Sequence, residues 1–260
     1  MTVKGYLDLS RGQLHYRMRD GQGAPIVCFH QTASSSAMFD AFIQAYPGPE
    51  PIYALDTPGF GGSYDPDDQP SMADYGAVMA EAIEAIGRGK AHLFGHHTGA
   101  SLAVEVAANR PDLSASLAMI GPVTITREEA EAFKAAYPLD FAPKADGSHL
   151  KVMWEYIASI GGDSSLALHQ REMADTVRAW QGHINVYSVI WDQDFSGLYQ
   201  RVQVPMAILC GQGDVLWSVF ERAKQMRPDA KVFEIGGTNF QPDQAVSDVA
   251  EAMHSFIGGL

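Results

Sequence analysis

Apolar positions along this chain follow two alternating patterns. Short apolar runs at 25–30 (PIVCFH), 51–56 (PIYALD), 91–95 (AHLFG), 115–120, 205–210 (PMAILC) and 231–235 (KVFEI) have the length and character of buried strands. Between them, apolar residues recur at helical spacing over 34–46, 75–86, 100–109, 215–226 and 244–257. Gly87 closes the second of these helices and Arg110-Pro111 ends the third. Residues 5–9 and 13–19, split by Arg11-Gly12, predict an antiparallel pair at the start. Strands alternating with helices predict an α/β protein, with a parallel sheet wrapped on both faces.

The rhythm breaks between about 124 and 201. Residues 128–136, 149–160, 165–180 and 184–190 read as helix, and no strand pair interrupts them. The segment carries Trp154, Trp180 and Trp191, three of the chain's four tryptophans. An aromatic helical insertion between core strands suits a cap over a pocket. The expected division is a core of 1–122 and 202–260 and a cap of 123–201. His149, His169 and His183 are expected on the cap's surface.

Composition narrows the function. With 260 residues, 46% hydrophobic and 19% charged, the chain suits one α/β domain with an insertion. Its formal charge of −13 argues against nucleic acid or an anionic membrane as partner. The start MTVKGYLDLS lacks an apolar signal core, and no apolar run could span a bilayer, so a cytoplasmic protein is expected. Cys28 and Cys210 fall in strand-like runs and are expected to be buried, reduced thiols. The chain shows no internal repeat and no coiled-coil signal, and oligomeric state stays open.

The chemistry concentrates at Gly95-His96-His97-Thr98-Gly99. The stretch follows a strand-like run and opens a helical one. Its two glycines permit a tight turn and close strand–helix contact. The central imidazole is the side chain best suited to proton transfer near neutral pH.

With these residues in place, the chain resembles the α/β-hydrolase superfamily over essentially its whole length. The marks are Phe29-His30-Gln31-Thr32 at a strand end, Asp56-Thr57-Pro58-Gly59-Phe60-Gly61-Gly62-Ser63, the Gly95–Gly99 elbow, and Gly211-Gln212-Gly213-Asp214. Gly236-Gly237-Thr238-Asn239-Phe240 stands where members usually carry Gly-x-x-His-Phe. The resemblance implies a mostly parallel eight-stranded sheet with helices on both faces and a helical cap. It implies an oxyanion hole built from backbone N–H groups of Thr98 and of the Gln31-Thr32 loop. It puts His97 at the nucleophile position, Asp214 at the acid position and Asn239 at the base position. Two of the three triad positions have changed, and Gln31 replaces the usual glycine of the oxyanion loop. A serine acyl-enzyme route is therefore closed.

The resemblance and the residues together imply an enzyme acting on a small, largely apolar carbonyl compound. An ester, a lactone or a C–C bond next to a ketone would suit it. His97 is the expected general acid/base. Asp214 would orient it, either directly or through Asn239 or a water. His30 is either a catalytic partner or a structural residue beneath the oxyanion loop. Gln31, Thr32, Thr98, Asn239, Trp154 and Trp191 are candidate oxyanion and substrate contacts. His96 is expected to be structural, and the Thr98 side chain to point away from the site. No cofactor is expected. No metal is expected either, because no local ligand spacing supports one and adjacent His96 and His97 should diverge. Glycines 59–62 do not sit in a dinucleotide-binding frame. Three other readings share these residues: a non-catalytic small-molecule binder, a lyase, isomerase or cyclase that uses no water, and a hydrolase whose base comes from the cap.

Overall fold

The antiparallel start forms as expected. In the computed structural model, which describes residues 2–136 and 141–260 with Ala136 by its backbone alone, β1 (Val3–Leu9) pairs with β2 (Gly12–Arg19) from Val3–Met18 to Leu9–Gly12. The sheet continues with β3 (Ile26–Phe29), β4 (Ile52–Leu55), β5 (Ala91–His96), β6 (Ser114–Ile120), β7 (Met206–Gly211) and β8 (Lys231–Ile235). The eight strands lie in the order β1-β2-β4-β3-β5-β6-β7-β8. Pairs from β4 through β8 are parallel, while β1–β2 and β2–β4 are antiparallel. This is the mostly parallel eight-stranded sheet that the resemblance implies.

Helices bury both faces, which is why the central strands are continuous apolar runs. Alternate residues of β5 show the division. Leu93 joins a cluster with α2 (Met72–Ile86), α3 (Thr98–Asn109) and α9 (Trp217–Met226). Phe94 joins the opposite cluster with α1 (Asp40–Ala45) and the closing helix of the chain. Cys28 and Cys210 are buried and free. No helix among the described residues is long and apolar enough to cross a membrane.

Between β6 and β7 the chain runs α4 (Arg127–Ala136), α5 (Ser148–Ser159), α6 (Leu166–Arg178), α7 (Trp180–Val189) and α8 (Phe195–Arg201). The last of these was not expected from sequence. Asp194 caps it by accepting from Gly197 N, and Phe195, Leu198 and Tyr199 pack into the core cluster. His169 and His183 are buried, not on the surface of this segment. His169 stacks on Trp154 and donates from Nε2 to the Trp154 carbonyl. His183 packs against Phe141 and Tyr187.

Two expected helices are each divided in two. The 34–46 segment is a short 3-10 turn, Ser36–Phe39, followed by α1, because Ser35 caps the turn and Asp56 Oδ1 accepts from Ser36 N. The 244–257 helix begins earlier as α10 (Gln241–Gln244), breaks at Ala245 and continues as α11 (Val246–Ile257). The break matters because it lets Gln241 turn inward.

Candidate active site

The elbow sits between β5 and α3. Gly95 and Gly99 make it possible: a Cβ on Gly95 would lie 2.3 Å from Gly99 O, and one on Gly99 would lie 2.0 Å from Phe29 O. Between them His97 adopts φ 49 and ψ −111, and no other non-glycine residue among those described has a positive φ. Such backbone costs on the order of 1–3 kcal/mol and persists where surrounding structure holds it. The strain also explains why His96 and His97 do not diverge. Alternation of side chains holds only for extended backbone, and here the two rings lie 4.3 Å apart at 34°.

His97 Nε2 lies 2.8 Å from Asp214 Oδ2. Asp214 follows β7, and its carboxylate also accepts from Gln241 Nε2 at 2.5 Å and from Leu216 N at 2.7 Å. Burial works against its ionisation, but His97 and the two other donors outweigh it and hold the carboxyl down at about 2. An ionised carboxylate accepts only, so Nε2 of neutral His97 carries the proton and Nδ1 holds the lone pair. Gln241 passes the network on: its Oε1 lies 2.9 Å from His96 Nε2. Burial and the neighbouring His97 keep His96 well below the ordinary histidine range, so it stays neutral. Its Nδ1 is buried without a partner.

The seat beneath His97 is Gly121, at the end of β6. A Cβ there would lie 2.4 Å from His97 Cδ2 and 2.7 Å from Nε2, and Gly121 itself has φ +62. Only glycine serves on both counts.

Asn239 does not reach Asp214 or His97 through its amide. It accepts from Val215 N at 3.0 Å and donates to Ile160 O at 3.1 Å, tying the Asp214 loop to the end of α5. His30 has spent both ring nitrogens. Nδ1 donates to Gln31 O at 2.8 Å, and Nε2 accepts from Thr57 N at 3.0 Å. Burial lowers its pKa, so it stays neutral beneath the loop with no free nitrogen for proton transfer. Thr98 turns its side chain to the Gln31-Thr32 loop and not away: Oγ1 accepts from Thr32 N at 2.6 Å and lies 3.0 Å from Thr32 Oγ1. Gln31 is buried in that loop. Trp154 is committed to His169. Trp191 stacks on Phe133 at 5.8 Å and lines an open cavity of about 700 Å³ with Val123, Ile125 and Arg127.

Two groups of residues escaped the sequence reading. Gln241 carries no motif, and only the break after α10 brings it inward. The second group joins the insertion to the loop that carries Ser34 and Ser35. Glu172 Oε2 accepts from Ser34 Oγ at 2.5 Å, Asp175 Oδ2 accepts from Ser35 Oγ at 2.8 Å, and Arg171 forks onto Asp243. Acids at positions 172 and 175 on one helix face, with neighbours of mixed polarity, were the available signal.

The family profile described as the alpha/beta hydrolase family matches residues 26–252. The chain belongs to that family. It is 28% identical over 273 residues to a 2-(acetamidomethylene)succinate hydrolase of Mesorhizobium japonicum, covering 96% of this chain and 94% of the relative. It is 21% identical to a fluoroacetate dehalogenase of a Burkholderia species, over 91% and 88% of the two chains. Among solved structures, an E-2-(acetamidomethylene)succinate hydrolase superposes with a TM-score of 0.80 at 23% identity, covering 99% of this chain and 100% of that one. The enol-lactonase of Burkholderia xenovorans superposes with a TM-score of 0.84 at 16% identity, covering 98% and 100%. These likenesses establish the fold of this family member.

Proposed function

We propose that this family member hydrolyses a small carbonyl compound with His97 as general base through Nδ1. The observation that carries the reading is the 2.8 Å contact from His97 Nε2 to a carboxylate that is ionised at neutral pH. It fixes the tautomer, so the free lone pair is on Nδ1. A triad histidine of the usual kind faces its acid through Nδ1 and works through Nε2. The ring here works in the reverse sense.

In this mechanism Nδ1 takes a proton from water as its oxygen attacks the carbonyl carbon. The imidazolium that forms keeps its Nε2–H on Asp214, whose charge balances it. The tetrahedral oxyanion then collapses, the bond to the leaving group breaks, and Nδ1–H returns the proton to that group. The helical segment 123–201 acts as the cap over the reacting centre, with Trp191 at its edge. The hydrolase relatives support a small-molecule substrate. An ester, a lactone or a C–C bond next to a ketone fits the base and the oxyanion loop.

Ligand atoms of His96, His97 and Asp214 lie within 4.8 Å of one another. We read them as a proton network and not a metal centre. Nearly stacked imidazoles do not aim their in-plane lone pairs at one point, and Gln241 already sits between His96 and Asp214.

The test is incubation with small esters, lactones, 1,3-diketones and hydroxyketones in ¹⁸O-labelled water, beside His97→Ala. Labelled product that disappears in the variant is the expected result. Turnover that depends on His97 but carries no label would make the enzyme a lyase or isomerase. Turnover that survives the variant would overturn the role of His97.

A further inference from the structure

Thr98 takes up the oxyanion loop's own donor. Its Oγ1 accepts from Thr32 N, so that main-chain N–H is not free to receive a substrate oxygen. Thr32 Oγ1 and Thr98 Oγ1 also share one hydrogen bond. Two hydroxyls that share one bond keep one O–H proton between them.

Thr32 and Thr98 both line a void of about 10 Å³, together with His30, Thr57, Phe60 and Tyr75. That is about the room one water-sized sphere needs. Tyr75, on α2, is fully buried, and its Oη has no partner. Burial pushes its phenol well above the ordinary range, so it remains a donor. A buried hydroxyl without a partner is uncommon and asks for a ligand atom. The ring of His30 offers nothing here, both nitrogens being engaged.

We propose that this void is an oxygen-binding niche, where the leftover O–H of the Thr32–Thr98 pair and the O–H of Tyr75 hold one oxygen atom of the carbonyl substrate. The proposal rests on the reading of His97 as the base one residue before Thr98. The niche takes a single unsubstituted oxygen, as in a carbonyl, an enolate or a carboxylate. Negative charge developing on that oxygen would meet two side-chain hydroxyls, not a pair of main-chain amides.

The probe is 4-nitrophenolate, an oxyanion whose visible absorbance shifts on binding. It is titrated into the full chain, Tyr75→Phe, Thr98→Val, Thr98→Ser and His97→Ala, with thermal unfolding recorded for each. Tyr75→Phe and Thr98→Val are each expected to weaken binding by about tenfold, and Thr98→Ser by much less. His97→Ala should bind the probe while losing turnover. Unchanged binding in Tyr75→Phe and Thr98→Val would make the void a water site and overturn the proposal. Tighter binding in Thr98→Val would overturn it too, by showing that Thr32 N–H is the true donor. A wild-type chain that does not bind the probe would have no such niche. If His97→Ala keeps turnover while the other two lose binding, the niche stands and the assignment of His97 falls.

Discussion

Asp214 and Asp175 are both largely buried, yet they titrate in opposite directions. Asp214 receives donors from His97, Gln241 and Leu216 N, and its carboxyl is held at about 2. Asp175 receives the Ser35 hydroxyl and faces a second acid, Glu172, with Asp56 further off. Arg171, the cation nearby, is taken by Glu172 and Asp243. Burial and Glu172 push Asp175 up to about 7, and burial raises Glu172 as well. Desolvation is common to both sites, so the supply of donors decides the outcome. The first network works as a fixed negative charge. The second is a proton-holding contact between α6 and the loop that carries Ser34 and Ser35.

The largest break in this comparison is Asp214→Asn. It removes the charge beside His97 Nε2, which in the proposed mechanism balances the imidazolium and keeps the proton on Nε2. Turnover should fall on the order of 10³-fold in steady-state kinetics, in line with the usual worth of acid–base catalysis. Gly121→Ala comes next. Its methyl would occupy the place of His97 Cδ2 and Nε2 at a positive φ. Thermal unfolding should show a loss of about 1–3 kcal/mol, and turnover should drop with it.

Gln241→Leu sharpens the contrast. It strips one donor from Asp214 and leaves His96 Nε2 without its acceptor. Stability should fall by about 1–3 kcal/mol. The acid limb of the pH–rate profile should also move to higher pH, which a merely structural glutamine would not cause. Asp214 and Asp56, both held at about 2, give stability that is present above the unfolded value near 3.8 and lost as pH falls toward 2.

Glu172→Gln is the smallest change. Between about 4 and 7 native Asp175 keeps a proton that the unfolded chain has released, so stability falls as pH rises through that window. Removing the neighbouring acid should flatten that fall by on the order of 1 kcal/mol, read from denaturant midpoints at pH 5 and pH 8. An unchanged slope would separate the two acids.

Most of the fold was legible because apolar periodicity reports burial directly. β3, β4, β5, β6 and β7 are buried runs, and the glycines of the elbow are where close backbone contact requires them. Asp214 was legible from its place after a late strand. Asn239 was harder, because sequence alignment to a motif gives the position of a residue and not the aim of its side chain. Gln241 was invisible, since an amide one position beyond a motif has no pattern of its own. The buried histidines of the segment between β6 and β7 were misplaced because a polar residue with an internal partner reads like a surface residue.

The Asn239 tether makes positions 97 and 239 interdependent. A serine at position 97 would face no histidine, because residue 239 spans from Val215 to Ile160 instead of meeting Asp214. A histidine at 239 would find Asp214 already occupied by His97 and would cut the tie to α5. A serine–histidine pair at 97 and 239 therefore needs both positions to change together, since either substitution alone leaves Asp214 or the tie to α5 without its partner.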